Sequence, residues 1–242
     1  MTMHMRRRNV VLSLAAVSAT ALLAACSQEE AKPAADATPA PATPATPATP
    51  ATPAVAAPPS QGSVDVAKLM EPGALPDQAL GNADAPVTIV EYASLTCSHC
   101  AAFHANTLPD IKTKYVDTGK VRLILREFPF DPRAEAGFML SRCSQDRYFA
   151  MADVLFKQQS SWAGAQDAQA ALLQIARLAG FSQESFNACL TDQKLLDDIR
   201  AVRERGNKDF GVDSTPTFFI NGNKYAGNMS VDEMSAIIDS ML

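Results

Sequence analysis

Few residues of this sequence are suited to binding metal ions or nucleic acids. The 242 residues include three histidines and five cysteines, and no second Cys-x-x-Cys pair or histidine pair of suitable spacing lies elsewhere in the chain to complete a site with Cys97 and Cys100. A structural zinc ion needs four ligands, so no metal site is predicted. The 26 acidic residues outnumber the 21 basic ones, and the chain has no basic stripe. This charge balance argues against nucleic acid or an anionic membrane surface as a partner.

Long apolar runs are also scarce, and the one of interest lies near the N-terminus. It extends from Val10 to Leu23, follows three arginines at positions 6–8, and leads into small residues ending at Ala25. A membrane-spanning helix needs about 20 apolar residues, whereas this arrangement is typical of a secretory signal. We therefore predict that residues 1–25 are a signal peptide. Without it the formal charge of −5 becomes −8, because three arginines are lost, and this favours solubility.

The sequence Leu23-Ala24-Ala25-Cys26 resembles the lipobox of bacterial lipoproteins, in which the cysteine is acylated and becomes the new N-terminus. The alternative is an ordinary signal peptide followed by an incidental cysteine. Three acyl chains on this one cysteine would exceed the two membrane-binding signals that stable anchoring requires. The resemblance implies a lipid anchor at Cys26 on the periplasmic side of a bacterial membrane. Without the anchor the protein would be soluble in the periplasm.

Residues 26–63 are rich in alanine, threonine and proline, and an Ala-Thr-Pro unit repeats between Ala42 and Pro53. Such a segment cannot bury enough apolar surface to offset the entropy of ordering. We predict a disordered, extended linker there. It leads into one folded domain at 64–242.

The order of predicted elements in the domain indicates an α/β fold. Val87–Ala93 is apolar and β-branched apart from Glu91, which predicts a buried strand. A helix is predicted from Ser98 to Val116, bent where its proline lacks a backbone donor. A second strand is predicted at 121–128. It is parallel to the first if the connection is the usual right-handed crossover.

The second half of the domain is predicted to be helical before it returns to the sheet. Between about 133 and 210 no strand pattern occurs and apolar residues recur at helical spacing, which predicts an inserted block of four or five helices. A strand at 217–220, a turn at Asn221-Gly222 and a strand at 223–226 form a predicted hairpin. Residues 230–233 are a capping box for a helix that ends near the C-terminus.

The segment Cys97-Ser98-His99-Cys100 carries the chemistry that the sequence predicts. It follows the first predicted strand and opens the first predicted helix. Two cysteines in the first turn of a helix can close a reducible disulfide, and the helix N-terminus favours the thiolate of the first cysteine. These features point to thiol–disulfide exchange.

Four features together resemble the DsbA-like branch of the thioredoxin superfamily, whose members carry a helical domain inserted into a thioredoxin fold. They are the Cys97–Cys100 motif after a strand, Glu91 six positions earlier, the segment Ser214-Thr215-Pro216-Thr217, and the helical block. The resemblance covers essentially the whole domain. It implies a thiol:disulfide oxidoreductase that needs no cofactor beyond its own Cys97–Cys100 disulfide.

The resemblance also implies roles for the residues of the motif. Cys97 would be the nucleophile, and Cys100 the resolving thiol that releases the mixed disulfide. His99 would be a donor or a partial positive charge that stabilises the Cys97 thiolate, or else a surface histidine with no role. His104 is predicted to be an exposed helix residue.

Glu91 and Pro216 are assigned by the same resemblance. Glu91 would be the buried acid beneath the active site that helps to move protons, since a carboxylate in an apolar strand is costly without a partner. The alternative is a carboxylate that reaches water at the strand end. Pro216 would follow a cis peptide bond that places the Thr215 backbone beside the disulfide, open to an extended substrate segment. An ordinary turn proline is the alternative.

Cys143 and Cys189 lie in the helical block. Two free thiols would be unstable in an oxidising compartment, so a structural disulfide between them is predicted. Two buried, unpaired core cysteines are the alternative.

Three functions follow from these features. The first is an oxidase that donates the Cys97–Cys100 disulfide to unfolded or cysteine-containing exported proteins and is reoxidised by a membrane redox partner. The second is a reductase or isomerase, because Thr215 differs from the valine of the best-known oxidases and is shared with isomerase and reductase relatives. Those isomerases dimerise through a folded N-terminal domain, where this chain has the linker, so a monomeric oxidase is favoured. The third is a Cu(I)-thiolate binding protein, which soft thiolates would suit, although methionine-rich copper motifs are absent.

Overall fold

The structure is a computed structural model, and it describes residues 55–242. The predicted signal peptide, the predicted lipidation site Cys26 and the predicted linker up to residue 54 lie outside the described residues. None of the helices within the described part is long and apolar enough to span a membrane.

A mixed sheet of five strands forms the centre of the described domain. The strands are β1 Gln78–Leu80, β2 Val87–Ala93, β3 Val121–Glu127, β4 Thr217–Ile220 and β5 Asn223–Ala226. Their order across the sheet is β1-β3-β2-β4-β5. β2 and β3 are parallel, as predicted, while β1, β4 and β5 each run antiparallel to their neighbours. β1 was not predicted.

Helices cover both faces of the sheet and form a separate block. The helices are α1 Val66–Met70, α2 Ser98–Asn106, α3 Leu108–Ile111, α4 Pro132–Cys143, α5 Tyr148–Lys157, α6 Gln159–Trp162, α7 Ala168–Leu178, α8 Gln183–Leu190, α9 Gln193–Phe210 and α10 Val231–Asp239. The inserted block, α4 to α9, contains six helices, so the prediction of four or five was wrong. The miss has a physical cause, because α6 is a single turn and gives no repeating apolar pattern.

The helix predicted from Ser98 to Val116 is divided into three parts. α2 ends before Thr107, α3 begins at Leu108, and a π-helical turn follows at Lys112–Val116. The proline lies in the first turn of α3, where its missing N–H costs no helical hydrogen bond. The predicted bend is therefore a break between two short helices.

Side chains of β2 alternate between the two faces of the sheet, and this alternation determines which helices each side chain contacts. Val90 and Tyr92 face a cluster that also holds Leu69 of α1 and Phe210 of α9. Ile89 faces the opposite side, where its cluster includes residues of α2, α3 and α10. Glu91 is two positions from Ile89, so its carboxylate points to the side of α2.

Two arginine-centred clusters fix the surroundings of β3. Arg126 binds the Asp77 carboxylate through Nε at 2.8 Å and the Leu69 carbonyl at 2.8 Å, which ties the segment before β1 to the sheet. Glu127, fully buried, accepts hydrogen bonds from Arg142 Nε at 2.6 Å and from the Tyr148 hydroxyl at 2.9 Å. The second cluster joins the inserted helices to the end of the sheet.

The outer edge of β5 is covered by residues 61–64. The Gln61 N–H donates to the Lys224 carbonyl at 2.8 Å, and the Val64 N–H donates to the Gly222 carbonyl at 2.9 Å. The segment therefore runs antiparallel to β5. Its first residue lies at the end of the sheet where Thr217 and Ala226 pair, and this covers an edge that could otherwise pair with another chain.

Candidate active site

The two cysteines of the motif lie at the N-terminus of α2 and differ in exposure. Cys97 is the residue preceding the helix and is half-buried, whereas Cys100 is fully buried one turn inward. Both are free thiols in this structure. A reaction partner can therefore reach the sulfur of Cys97 but not that of Cys100.

The surroundings of Cys97 favour its thiolate. The thiol of Cys100 makes the largest contribution, and the Thr215 side chain and the backbone N–H groups of Cys100 and His99 add to it, against the opposing effect of burial. Together they lower the pKa of Cys97 from 9.0 to about 5. At neutral pH Cys97 is thus a thiolate, the form that acts as a nucleophile.

The pKa of Cys100 moves in the other direction. Burial makes the largest contribution, followed by its hydrogen bond to Cys97 and by the negative charge of Glu91, and the pKa rises far above its ordinary value. Cys100 therefore stays protonated and serves as the donor to the Cys97 thiolate. Cys97 is therefore the attacking group, and Cys100 is the group that holds the proton.

The peptide bond between Thr215 and Pro216 is cis, as expected from the resemblance. It places Thr215 against the nucleophile, because the Cys97 thiol donates to the Thr215 carbonyl at 3.2 Å. The Thr215 hydroxyl is buried and has no hydrogen-bond partner within the described residues. When Cys97 ionises, that hydroxyl can donate to the sulfur and so find a partner.

The inserted helices hold the loop before Cys97 in place. Gln159 of α6 donates to the carbonyls of Leu95 at 2.8 Å and Cys97 at 3.0 Å. Asp131, which caps α4, accepts a hydrogen bond from the Thr96 hydroxyl at 2.5 Å. These positioning residues were not predicted from the sequence. Only Asp131 gave a local signal, as an aspartate followed by proline at the start of an apolar helical pattern.

The structure indicates a smaller role for His99 than the sequence predicted. Its side chain is exposed, and no hydrogen bond joins its imidazole to Cys97 within the described residues. The group that acts on Cys97 is the backbone N–H of His99. The proposed contribution of the ring remains a prediction.

His104 is buried, so the prediction that it is exposed was wrong. It is 4% exposed, and its Nε2 lies 3.1 Å from both carboxylate oxygens of Glu91, which is itself 0% exposed. The tautomer of the ring determines which of the two groups is the donor in this contact. The ring stacks on Phe156 of α5 at 4.0 Å between centroids. The alternative for Glu91, a carboxylate that reaches water, is thereby excluded.

The other cysteine pair lies within the helical block. Cys143 at the end of α4 and Cys189 in α8 form a disulfide with their Cα atoms 6.1 Å apart. This is the pairing expected from the sequence. In the described residues, no three histidine, cysteine, aspartate or glutamate side chains are grouped so that they could hold a metal ion.

Comparisons with known proteins agree with this geometry. Residues 74–240 match the thioredoxin family. The solved structure of alpha-DsbA1 from Wolbachia pipientis is 36% identical, covers 72% of this chain and 94% of its own, and has a TM-score of 0.67. The oxidised BdbD of Bacillus subtilis is 20% identical, covers 68% of this chain and 92% of its own, and shares the fold with a TM-score of 0.61.

A curated relative of Rickettsia bellii, provisionally named protein-disulfide oxidoreductase, is 34% identical over 168 residues. The match covers 69% of this chain and 64% of that relative. The chain thus spans less than two thirds of the length of that protein.

Proposed function

Because the chain belongs to the thioredoxin family, and within it to the DsbA-like branch, we propose that it is a thiol:disulfide oxidoreductase that donates the Cys97–Cys100 disulfide to exported proteins. The strand order and the solved neighbours confirm the predicted thioredoxin fold with inserted helices. The observation that carries the proposed activity is the opposite displacement of the two pKa values, to about 5 for Cys97 and far upward for Cys100.

The reaction starts from the disulfide form. A substrate thiolate attacks Cys97 Sγ, the Cys97–Cys100 bond breaks, and the electron pair leaves on Cys100 Sγ, which takes up a proton. A second substrate thiolate then attacks the substrate sulfur of the mixed disulfide and releases Cys97 as a thiolate. The substrate gains one disulfide, and the two electrons remain on Cys97 and Cys100.

The stabilised thiolate supports oxidation rather than reduction of substrates. At pH 7 a pKa of about 5 in place of 9.0 corresponds to about 2.7 kcal/mol. Because Cys97 is half-exposed, solvent screening reduces this to about 1–2 kcal/mol. Stabilising the reduced form by that amount makes the disulfide more oxidising by about 20–40 mV.

The surroundings of Cys97 suit an extended, unfolded substrate. The Thr215 carbonyl, to which the protonated Cys97 thiol donates, is free when the sulfur is a thiolate or forms a disulfide. Phe130, 50% exposed, packs on Phe128 at the C-terminal end of β3, the same end of the sheet as Cys97. It offers an apolar contact to the exposed side chains of an unfolded chain.

Location and recycling belong to the proposal. The Cys143–Cys189 disulfide supports an oxidising compartment, and together with the predicted signal peptide it favours the periplasm. Lipid at Cys26 would hold the protein at the membrane, where a redox partner could reoxidise it. Labelling with a radioactive fatty acid tests the anchor, and loss of label in Cys26→Ser is the expected result.

The Cu(I) alternative is weakened by the burial of Cys100. Binding of Cu(I) by two thiolates requires Cys100 to ionise, and its raised pKa opposes this. A reductase or isomerase of the same fold remains the main competitor, because Thr215 is shared with such enzymes.

The reduction potential of Cys97–Cys100 separates these functions. The chain without its signal peptide would be equilibrated in glutathione buffers with Cys143–Cys189 intact. A potential well above the glutathione couple is expected for a disulfide donor. A value near that of thioredoxin, about −270 mV, would favour a reductase, and a pair that does not exchange at all would refute the activity.

A further inference from the structure

We propose that His104 carries protons between the buried Glu91 and solvent while the cysteines cycle, and that its ring is the inner wall of a water-accessible proton route. The inference rests on the proposed function, because it concerns the proton that Cys100 gains and loses in that reaction. His104 acts through Glu91 and does not touch the reacting sulfur atoms, so it is a positioning and relay residue.

The reaction creates a proton-transfer problem inside the protein. When Cys97 is attacked, Cys100 leaves as a thiolate in a place where its side chain is 0% exposed. The negative charge of Glu91 is near enough to disfavour that thiolate. A proton must therefore reach Cys100 through buried groups each time the disulfide opens, and leave each time it closes.

Glu91 has one polar neighbour through which such a proton can pass. Among the described residues His104 is the only group that hydrogen-bonds to its carboxylate, and Nε2 serves both oxygens at 3.1 Å. The ring is held in this position on two sides, by the stacked Phe156 and by the edge of Phe103. The contact therefore joins Glu91 to a ring that can bind and release a proton.

The other side of the ring meets a cavity that connects to the surface. His104 lines a cavity of about 340 Å³ together with Lys112, Asp153 and Lys157. Lys157 is exposed and pairs with Asp153 at 2.7 Å, so the rim of the cavity is solvated. Since Nε2 faces Glu91, Nδ1 is the nitrogen available to water in this cavity. The imidazole thus joins a buried acid to solvent.

The proton balance follows this arrangement. As Cys100 leaves as a thiolate, the Nε2 proton of the neutral His104 ring passes by way of the Glu91 carboxylate to Cys100 Sγ, and water in the cavity gives a proton to Nδ1. In all, one proton moves from solvent to Cys100, and the ring ends as its other neutral tautomer. When the disulfide is restored, the same steps run in reverse. No further oxidant or reductant is involved beyond the substrate thiols and the Cys97–Cys100 disulfide.

Five ionisable groups surround the ring. They are Glu91 on β2, Cys100 on α2, Lys112 on the π-helical turn, and Asp153 and Lys157 on α5. Glu91 lies at the Nε2 side of the ring, and Lys112, Asp153 and Lys157 line the cavity at the other side. The effect of a His104 substitution on the pH profile must therefore be compared with the effect of a substitution that changes only a charged residue at the cavity rim.

The test uses His104→Gln, because a glutamine amide can donate to Glu91 from the position of Nε2 but cannot transfer a proton. Lys157→Gln is the control, since it changes the charge of the cavity rim and leaves the ring in place. The rate at which dithiothreitol reduces the oxidised protein would be followed in stopped flow by thiolate absorbance from pH 5 to pH 9.

We expect His104→Gln to slow this step about ten-fold or more, because general acid–base groups contribute at least that much, and to remove one inflection from the pH profile. The pKa of Cys97 and the reduction potential should stay unchanged, and Lys157→Gln should react at the wild-type rate. An unaltered rate and pH profile in His104→Gln would overturn the relay.

A second variant covers the case in which His104→Gln does not fold. Glu91→Gln interrupts the same route at its inner end, so it should show the same loss of rate, and a normal rate would also overturn the relay. Where both single variants fold, the double variant should be no slower than either one, because the two groups act as a unit. If the wild-type protein itself fails to react with dithiothreitol, the proposed function falls and the relay falls with it.

Discussion

Replacing Cys100 by alanine should raise the pKa of Cys97, because the Cys100 thiol makes the largest contribution to lowering it. A hydrogen bond to a charged group contributes about 1.5–3 kcal/mol, and one pKa unit corresponds to about 1.4 kcal/mol. The loss therefore corresponds to about 1–2 units. Since Cys97 is half-exposed, screening favours the lower value, and we expect the pKa to rise from about 5 to about 6.

The assay is thiolate absorbance between pH 3 and pH 9. In Cys100→Ala, with Cys26 also replaced by serine, the signal belongs to Cys97, because Cys143 and Cys189 are held in a disulfide. The remaining depression below 9.0 should persist, since the backbone N–H groups at the start of α2 and the Thr215 side chain are unchanged.

Cys100→Ser is the matched control. Its hydroxyl keeps a donor near the position of the thiol, so the pKa of Cys97 should stay within about half a unit of the wild-type value. Equal pKa values in the alanine and serine variants would contradict a contribution from the Cys100 thiol. They would assign the stabilisation of the thiolate to the helix terminus and not to Cys100.

Three further predictions follow from the same structure. Thr215→Val removes a hydroxyl donor and should raise the pKa of Cys97 by about half to one unit, whereas Thr215→Ser should not, as measured by the same titration. Replacing Cys143 and Cys189 together by serine removes a disulfide that joins residues separated by 46 positions in the sequence. This double substitution should lower the free energy of unfolding, measured in urea, by about 2–4 kcal/mol. An unchanged value would mean that the bond adds no stability. The lowered pKa of Cys97 stabilises the reduced fold, and this contribution is complete above pH 9 and is lost as the pH falls towards about 5. The stability of the reduced protein relative to the oxidised one should therefore decrease between pH 9 and pH 5. A constant difference would contradict the lowered pKa.

The sequence predicts the elements that have their own local pattern. β2 is a continuous apolar run, the turn at Asn221-Gly222 marks the hairpin, and Ser230 and Glu233 form the predicted capping box. In each case the signal lies within a few residues. Tertiary contacts are not needed to find these elements.

The elements that were missed depend on distant partners. β1 has three residues, and Arg126 holds the segment before it by binding Asp77. Neither feature produces a repeating pattern along the chain. The same holds for Gln159, whose function of holding the Leu95 and Cys97 carbonyls is set by the packing of the inserted helices.

His104 is a different case, because its sequence signal was present. Cys100, Phe103 and His104 are spaced by three and four residues, which places them on one helix face, and all three are buried. The expected exposure came from treating a histidine as a surface residue by type. Its position relative to Cys100 was the better guide, because an acid on the facing strand can satisfy a buried ring.

The antiparallel pairing of residues 61–64 with β5 determines where the domain is attached to the chain that precedes it. Gln61 is fixed at the end of the sheet that also carries Cys97 and the cis-Pro216 turn. The point of attachment and the reactive sulfur are therefore on the same side of the molecule. A partner that docks at Cys97 therefore approaches the end of the sheet at which the chain enters the domain. In a tethered protein the largest distance between the anchor and Cys97 would then be set by the length of the tether, and the thickness of the domain would add nothing to it.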